Sequence, residues 1–155
     1  MVTLISHSPA ETLALGRDWA ERATRGWVVG LSGDLGAGKI QLVKGIAEGL
    51  GITARVHSPT FSLVNIYTGG RLPLFHLDLY RLDTREQIIG AGLEEYLKPE
   101  GVAVVEWAER WFDEFPESDE SARGPEFSKT GLHRWATIEH VSENERRIIY
   151  EDFGA

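Results

Sequence analysis

No cysteine occurs anywhere in these 155 residues. That excludes disulfide staples and thiolate metal centres, so the fold has to close on an apolar core, which a chain of this length can supply. Long apolar runs are missing as well. None approaches the ~20 residues of a membrane span, and none follows a basic N-terminus as in a secretion signal. Positive charge is in deficit, with 16 Lys and Arg against 24 Asp and Glu and a formal net charge of −8. A surface of that sign repels nucleic acid and polyphosphate as a whole, so an anionic ligand has to be captured by local geometry. The five Trp and four Tyr are scattered rather than interleaved with Lys and Arg, which reads as core and rim and not as a base-stacking surface. With 42% apolar and 26% charged residues, the expectation is one soluble domain over residues 1–155, in the cytoplasm.

What the chain does have is one glycine-rich stretch, Gly33-Asp34-Leu35-Gly36-Ala37-Gly38-Lys39-Ile40-Gln41. It follows the apolar run Trp27–Leu31 and precedes Leu42, Val43, Ile46, Ala47 and Leu50 at helical spacing. A strand, a glycine-rich turn and a helix in that order is the setting of a phosphate-binding loop. Glycines let successive N–H groups converge, the helix N-terminus adds partial positive charge, and Lys39 brings a mobile ammonium to the outer phosphates. The pattern G-x-x-x-x-G-K is complete. The next position normally carries Ser or Thr, whose hydroxyl ligates magnesium; here it is Ile40.

Around this stretch the elements alternate between strand and helix. Val2–Ile5 reads as a strand, and Ser8-Pro9-Ala10-Glu11 as a capping box opening a helix that carries Leu13, Gly16, Ala20 and Ala23 on one stripe and stops before Gly26. The helix after the loop ends near Gly49–Gly51. Thr53–His57 reads as a strand, and Ser62–Tyr67 and Leu72–Leu79 as a β-hairpin around Thr68-Gly69-Gly70-Arg71. Asp83-Thr84-Arg85-Glu86 starts a helix that Gly90 and Gly92 break, and Leu93–Leu97 forms a further turn. Val102–Glu106 is a continuous apolar strand ending in a carboxylate, and Trp107–Phe115 is helical. Residues 113–131 read as a mobile surface loop, and 132–155 as C-terminal strands, with Leu132–Val141 and Arg146–Phe153 in a terminal hairpin. Together these predict an α/β fold of three layers, with a mixed central sheet that is parallel at its core and extended by antiparallel hairpins.

Three further positions bear on chemistry. Glu106, at the end of an apolar strand, stands where a phosphate-loop protein holds magnesium, directly or through water, although a strand-end carboxylate is common in any α/β protein. In His76-Leu77-Asp78-Leu79-Tyr80, alternation puts His76, Asp78 and Tyr80 on one face, which by pattern alone is a solvated one. Ser58 and Thr60 flank the stiff Pro59, either as turn residues or as hydroxyls that sense a γ-phosphate in a switch segment.

Four segments, Gly33–Lys39, Ser58–Tyr67, His76–Leu82 and Val105–Arg110, resemble the motifs of the TsaE (YjeE) family in order and spacing. The resemblance covers roughly residues 5 to 112 and implies a P-loop-like fold. It also implies a bacterial ATPase that works with TsaB and TsaD proteins in the threonylcarbamoyl modification of the tRNA adenosine next to the anticodon, reaching tRNA only through that complex. Hydrolysis in the family is thought to drive turnover of the complex. By motif position, Gly33 to Lys39 would cradle ATP with Ile40 and Gln41 following. Thr60 would lie in the switch-like segment, Asp78 at the γ-phosphate side, Glu106 on magnesium, and Trp107 near the nucleotide. The departure is Ile40, where the family has Thr. Isoleucine has no lone pair, so one position of the metal's octahedron passes to water. Two other readings stand beside this one: a nucleotide-responsive assembly module with little turnover because of Ile40, and a small-molecule kinase with Asp78 as its base.

Overall fold

The valine-rich runs Val28–Leu31 and Val102–Val105 lie side by side at the middle of one sheet and fix the frame for everything else. The computed structural model describes residues 1–33, 38–112 and 131–153, so the interior of the glycine-rich stretch (Asp34, Leu35, Gly36 and Ala37) and nearly all of the expected 113–131 loop lie outside the described residues. In chain order the elements are β1 (Val2–Ser6), α1 (Pro9–Arg22), β2 (Val28–Gly33), α2 (Lys39–Gly49), β3 (Val64–Tyr67), β4 (Leu74–Asp78), α3 (Arg85–Gly90), a 3-10 turn (Glu94–Leu97), β5 (Val102–Glu106), α4 (Glu109–Phe112), β6 (Arg134–His140) and β7 (Arg146–Asp152).

The seven strands are ordered β1-β7-β6-β2-β5-β4-β3. β2 is parallel to both β5 and β6, and β4 is parallel to β5. The flanks are antiparallel: β3 pairs with β4 on one side, and β6, β7 and β1 follow one another on the other. This is the mixed α/β sheet that the alternation of elements predicts. Apolar residues cover both of its faces. Val29, Leu31, Val102, Val104, Ala136 and Ile138 point toward α1 and α2, while Val28, Ala103, Val105 and Leu77 point toward α3, the 3-10 turn and α4. Continuous apolar strands are what a sheet covered on both faces requires.

The helices start where the sequence says, with one shift in the capping. Ser8 Oγ accepts from the Glu11 amide at 3.1 Å, and Pro9 takes the first helical position. The Glu11 carboxylate reaches back past Ser8 to the His7 amide at 2.6 Å. α1 crosses α2 with almost no side chain between them. A Cβ on Gly45 would stand 2.0 Å from the Leu13 carbonyl oxygen, and one on Gly16 would stand 2.3 Å from the Leu42 oxygen. Glycine at both positions is what lets the two backbones touch, and it brings the N-terminus of α2 to the edge of the parallel strands.

Thr53–His57 is not a strand. β3 is the edge of the sheet and pairs only with β4, and the backbone at His57 is satisfied by side chains instead. The His57 amide donates to the Tyr67 hydroxyl, and Asn65 Nδ2 donates to the His57 carbonyl. Ser62 and Leu63 also stay outside the expected hairpin. Leu63 sits at φ 70°, in the left-handed region, and pairing begins only at Val64. The helix read over Trp107–Phe115 is the short α4, with 113–115 outside the described residues. Among the described residues no helix is long and apolar enough to cross a membrane.

Candidate functional site

The row of core positions facing α2 changes from apolar to polar at the C-terminal ends of the parallel strands. Leu74, Val102 and Val104 are fully buried, and the same row continues with His76, Asp78 and Glu106. Strand register puts His76 opposite Val104 and Asp78 opposite Glu106. The sequence-based expectation of a solvated face is therefore wrong here. His76 has 0% of its surface exposed and Asp78 5%, because α2 covers this face of β4 and β5. Tyr80, two residues on, is exposed.

Lys39 enters the same layer from the other side. It is the first residue of α2, is only 6% exposed, and its Nζ donates to the Gly33 carbonyl at 3.1 Å. Gly38 precedes it at φ +97°, a left-handed conformation that turns the chain into the helix. Gly33 is constrained more tightly still: at φ +135° a Cβ would stand 2.2 Å from the Ile138 carbonyl oxygen. Lys39 Nζ lies 3.6 Å from Glu106 Oε1. The other oxygen, Glu106 Oε2, is 2.7 Å from His76 Nε2. Burial pushes the Glu106 carboxyl up, but the hydrogen bond and charge of His76, with Lys39 behind them, outweigh burial and hold it below the ordinary carboxylate range.

Asp78 is held on both oxygens. Thr60 Oγ1 donates to Oδ2 at 3.0 Å, and the Tyr80 amide donates to Oδ1 at 2.9 Å. Ser58 Oγ lies 2.7 Å from Thr60 Oγ1, so the segment around Pro59 is tied to the end of β4. Trp107, immediately after Glu106, has φ 58°, a strained conformation for a bulky residue. Its ring packs against Tyr80 at 5.0 Å and lies 5.7 Å from Lys39 Nζ. A cavity of about 240 Å³ opens here, lined by Ser32, Gly33, Lys39, Trp107 and Glu109. Ile40 turns the other way: it is half-buried against the core cluster between the sheet and α1.

Lys39, Glu106, Asp78, Thr60 and Trp107, which the sequence singles out separately, thus converge on one edge. Gln41 follows in the first turn of α2, where its amide bonds the Gly38 carbonyl. Two residues were not singled out. His76 could have been found from its alternation with Asp78, had the face been known to be covered. Glu109 lies inside a recognised motif but had no role attached to it.

Comparison with known proteins identifies the family. The family model described as threonylcarbamoyl adenosine biosynthesis protein TsaE matches residues 6–144. The chain belongs to the TsaE family. A tRNA threonylcarbamoyladenosine biosynthesis protein TsaE from Bacillus subtilis (strain 168) is 46% identical over 110 residues, 71% of this chain and 68% of its own length. One from Nostoc sp. is 50% identical over 103 residues, 64% of this chain and 63% of its own. One from Treponema pallidum is 43% identical over 113 residues, 73% of this chain and 83% of its own. The chain thus spans about two thirds of the length of the first two relatives. The crystal structure of Bacillus subtilis YdiB superposes with a TM-score of 0.73 at 34% identity, over 99% of this chain and 86% of that one.

Proposed function

We propose that this protein binds ATP with magnesium and hydrolyses it as an accessory to the threonylcarbamoyl modification of the tRNA adenosine next to the anticodon, working with TsaB- and TsaD-like proteins. The observation that carries the nucleotide site is the meeting of Lys39 Nζ and Glu106 Oε1 at 3.6 Å, where a glycine-rich turn enters a helix beside the carboxyl ends of parallel strands. That edge is where open α/β sheets bind ligands. Support for the tRNA pathway comes from family membership and from the names of the relatives.

In this reading Lys39 and the amides at the start of α2 hold the phosphates. Asp78, fixed by Thr60 and the Tyr80 amide, faces the γ-phosphate, and Trp107 closes the cavity beside Lys39. The donor set suits magnesium. Among the described residues Glu106 offers one hard oxygen outside hydrogen-bond length of its neighbouring cation, and no three His, Asp or Glu side chains gather into a self-sufficient metal centre. Magnesium is commonly held by one or two carboxylates together with substrate phosphates and water, and when bound it neutralises charge on those phosphates. The acidic surface, net −8, suits a protein that reaches tRNA through its partners rather than by gripping it.

Lys39→Ala tests the site. Loss of a charge-assisted contact worth ~1.5–3 kcal/mol should weaken ATP binding roughly ten- to a hundred-fold by calorimetry. Unchanged affinity would move the nucleotide elsewhere.

Ile40 supports a second reading, an assembly module that binds nucleotide with little turnover, because its side chain packs on the core and brings no oxygen to the site. Phosphate release with partner proteins, at saturating ATP and varied magnesium, separates the two. Under the hydrolytic reading Ile40→Thr should raise the rate about thirty- to a thousand-fold, the equivalent of ~2–4 kcal/mol. No release from either protein would favour the assembly module.

A further inference from the structure

We propose that His76 is the positioning residue for Glu106: it engages Oε2 and thereby leaves Oε1 as the single oxygen that Glu106 presents toward the phosphates. The inference rests on the metal role of Glu106 proposed above and adds the residue that sets its geometry.

Three observations support it. His76 is fully buried, and its Nε2 lies 2.7 Å from Glu106 Oε2. Its other ring nitrogen, Nδ1, has no hydrogen-bond partner among the described residues. Glu106 Oε1 is the oxygen on the Lys39 side, 3.6 Å from Nζ and beyond hydrogen-bond length. Among the described residues the ring therefore does not serve the surrounding backbone, and its one polar contact is with the carboxylate. In either protonation state that leaves Nε2 bonded to Glu106, it is the donor.

A stabilising role does not account for this contact. A buried imidazole–carboxylate pair gives the fold little that well-packed apolar side chains would not, because both partners lose their water. What the contact does supply is orientation. His76 lies on β4 two rungs back from the Asp78–Glu106 pair and on the same face of the sheet, opposite Val104, so its ring reaches Glu106 along the strand direction. Without that tether the carboxylate could rotate and engage Lys39 with both oxygens, or turn an oxygen away from the site. Groups that orient a metal's ligand typically change metal affinity by 10–100-fold when they are lost.

The test measures ATP binding by calorimetry, first in chelator and then across a magnesium titration, for the natural sequence, His76→Leu, His76→Gln and Glu106→Gln. His76→Leu keeps the bulk and removes the donor. It should lower magnesium's contribution to ATP affinity by about ten- to a hundred-fold while leaving metal-free ATP affinity within about twofold. The side-chain amide of His76→Gln can place a nitrogen near the position of the ring Nε2, so this variant should recover most of the magnesium effect. An unchanged magnesium contribution in His76→Leu overturns the proposal. So does equal loss in the leucine and glutamine variants, or loss of metal-free binding in both, since those outcomes assign His76 to packing alone. The Glu106→Gln arm separates the two layers of the argument. If it keeps the full magnesium effect, Glu106 is no ligand and the metal reading fails together with this inference. If it loses the effect while His76→Leu keeps it, only the positioning role fails.

Discussion

Arg134 and Lys39 are both cations beside aromatic rings, at opposite ends of β2, and the protein satisfies them very differently. Arg134 lies beside the start of the strand. Its guanidinium is 4.7 Å from the Trp19 ring, 5.5 Å from Trp27 and 4.1 Å from Tyr150, and it makes two bonds to Asp152 across the β6–β7 register. Arg71, in the same half of the molecule, donates to the carbonyls of Ala20 and Ala23 at the end of α1. Lys39, at the far end of β2, donates among the described residues to the Gly33 carbonyl and faces the Glu106 carboxylate at 3.6 Å, beyond hydrogen-bond length. Beside it His76 has one ring nitrogen unused, and Glu109 Oε2 is buried without a partner among the described residues. Trp19 Nε1, in the Arg134 half, is likewise buried without a hydrogen-bond partner among the described residues. The halves therefore differ in their ionisable groups: Arg134 and Asp152 bond each other, whereas His76 and Glu109 beside Lys39 each keep an unused polar atom. Buried polar groups are normally paired, so an edge where several are not is where a ligand belongs.

The largest effect should come from disturbing the backbone contact between α1 and α2, which holds the frame on which both halves rest. Gly45→Val would drive side-chain atoms into the Leu13 carbonyl, 2.0 Å from where even the Cβ would stand, and backbone cannot move aside as a side chain can. We expect a destabilisation of about 3 kcal/mol, the upper end of ordinary overpacking, read from urea midpoints. A loss below about 1 kcal/mol would mean that the two helices separate easily and that their contact does not position α2. Arg134→Met keeps much of the aliphatic stem and removes the charge from its three rings and Asp152. It should cost about 1–2 kcal/mol and leave ATP affinity unchanged. A drop in ATP affinity would show that the two halves are coupled.

Much of this division can be read from the sequence, for definable reasons. The nearness of Lys39 and Glu106 is legible because a glycine-rich stretch between an apolar strand and a helix, and an apolar run ending in a carboxylate, both mark the ends of strands in one sheet. Helix starts and hairpins are legible because Ser8, Thr84 and the Gly69–Gly70 turn act locally. His76 is not legible. An alternating His-Leu-Asp-Leu reads the same whether its polar face meets water or a helix, and only the place of β4 inside the sheet, under α2, decides which. Thr53–His57 misleads for a related reason: its pattern suits a strand, but whether a strand forms depends on a free neighbouring edge. Asn65 and Tyr67 occupy the His57 backbone groups instead.

Ile40 belongs to both halves, and a moderate effect should expose that. By position it follows Lys39 at the start of α2, and by packing it is part of the larger core cluster. Ile40→Thr exchanges a half-buried ethyl branch for a hydroxyl and keeps the branching at Cβ, so the helix start should tolerate it. The cost in stability should be about 1 kcal/mol, since the side chain is only half-buried. If the expected gain in magnesium-dependent hydrolysis appears alongside that cost, isoleucine at this position exchanges activity for core packing. A more stable threonine variant would show that Ile40 contributes nothing to the core.

The smallest effect is confined to acid and compares one carboxylate from each half. Glu11 is held below the ordinary range first by the His7 amide and then by the His7 ring, while Glu106 is held there against burial by His76 and Lys39, with Asp78 on the adjacent strand. A carboxyl whose folded pKa is depressed releases its proton more readily in the native state than in the unfolded chain. Its contribution to stability is complete above the unfolded value near 4.3 and is lost as pH falls through the lower folded value. Urea midpoints measured from about pH 6 down to about pH 3 should therefore decline on the acid side, and Glu106→Gln should make that decline shallower by removing one of the groups that must be protonated. Glu11→Gln should change it less, because Glu11 is solvent-exposed and its interactions are screened. The comparison gives way if the two substitutions flatten the acid limb equally, since burial beside His76 and Lys39 would then add nothing to what one exposed helix cap already supplies.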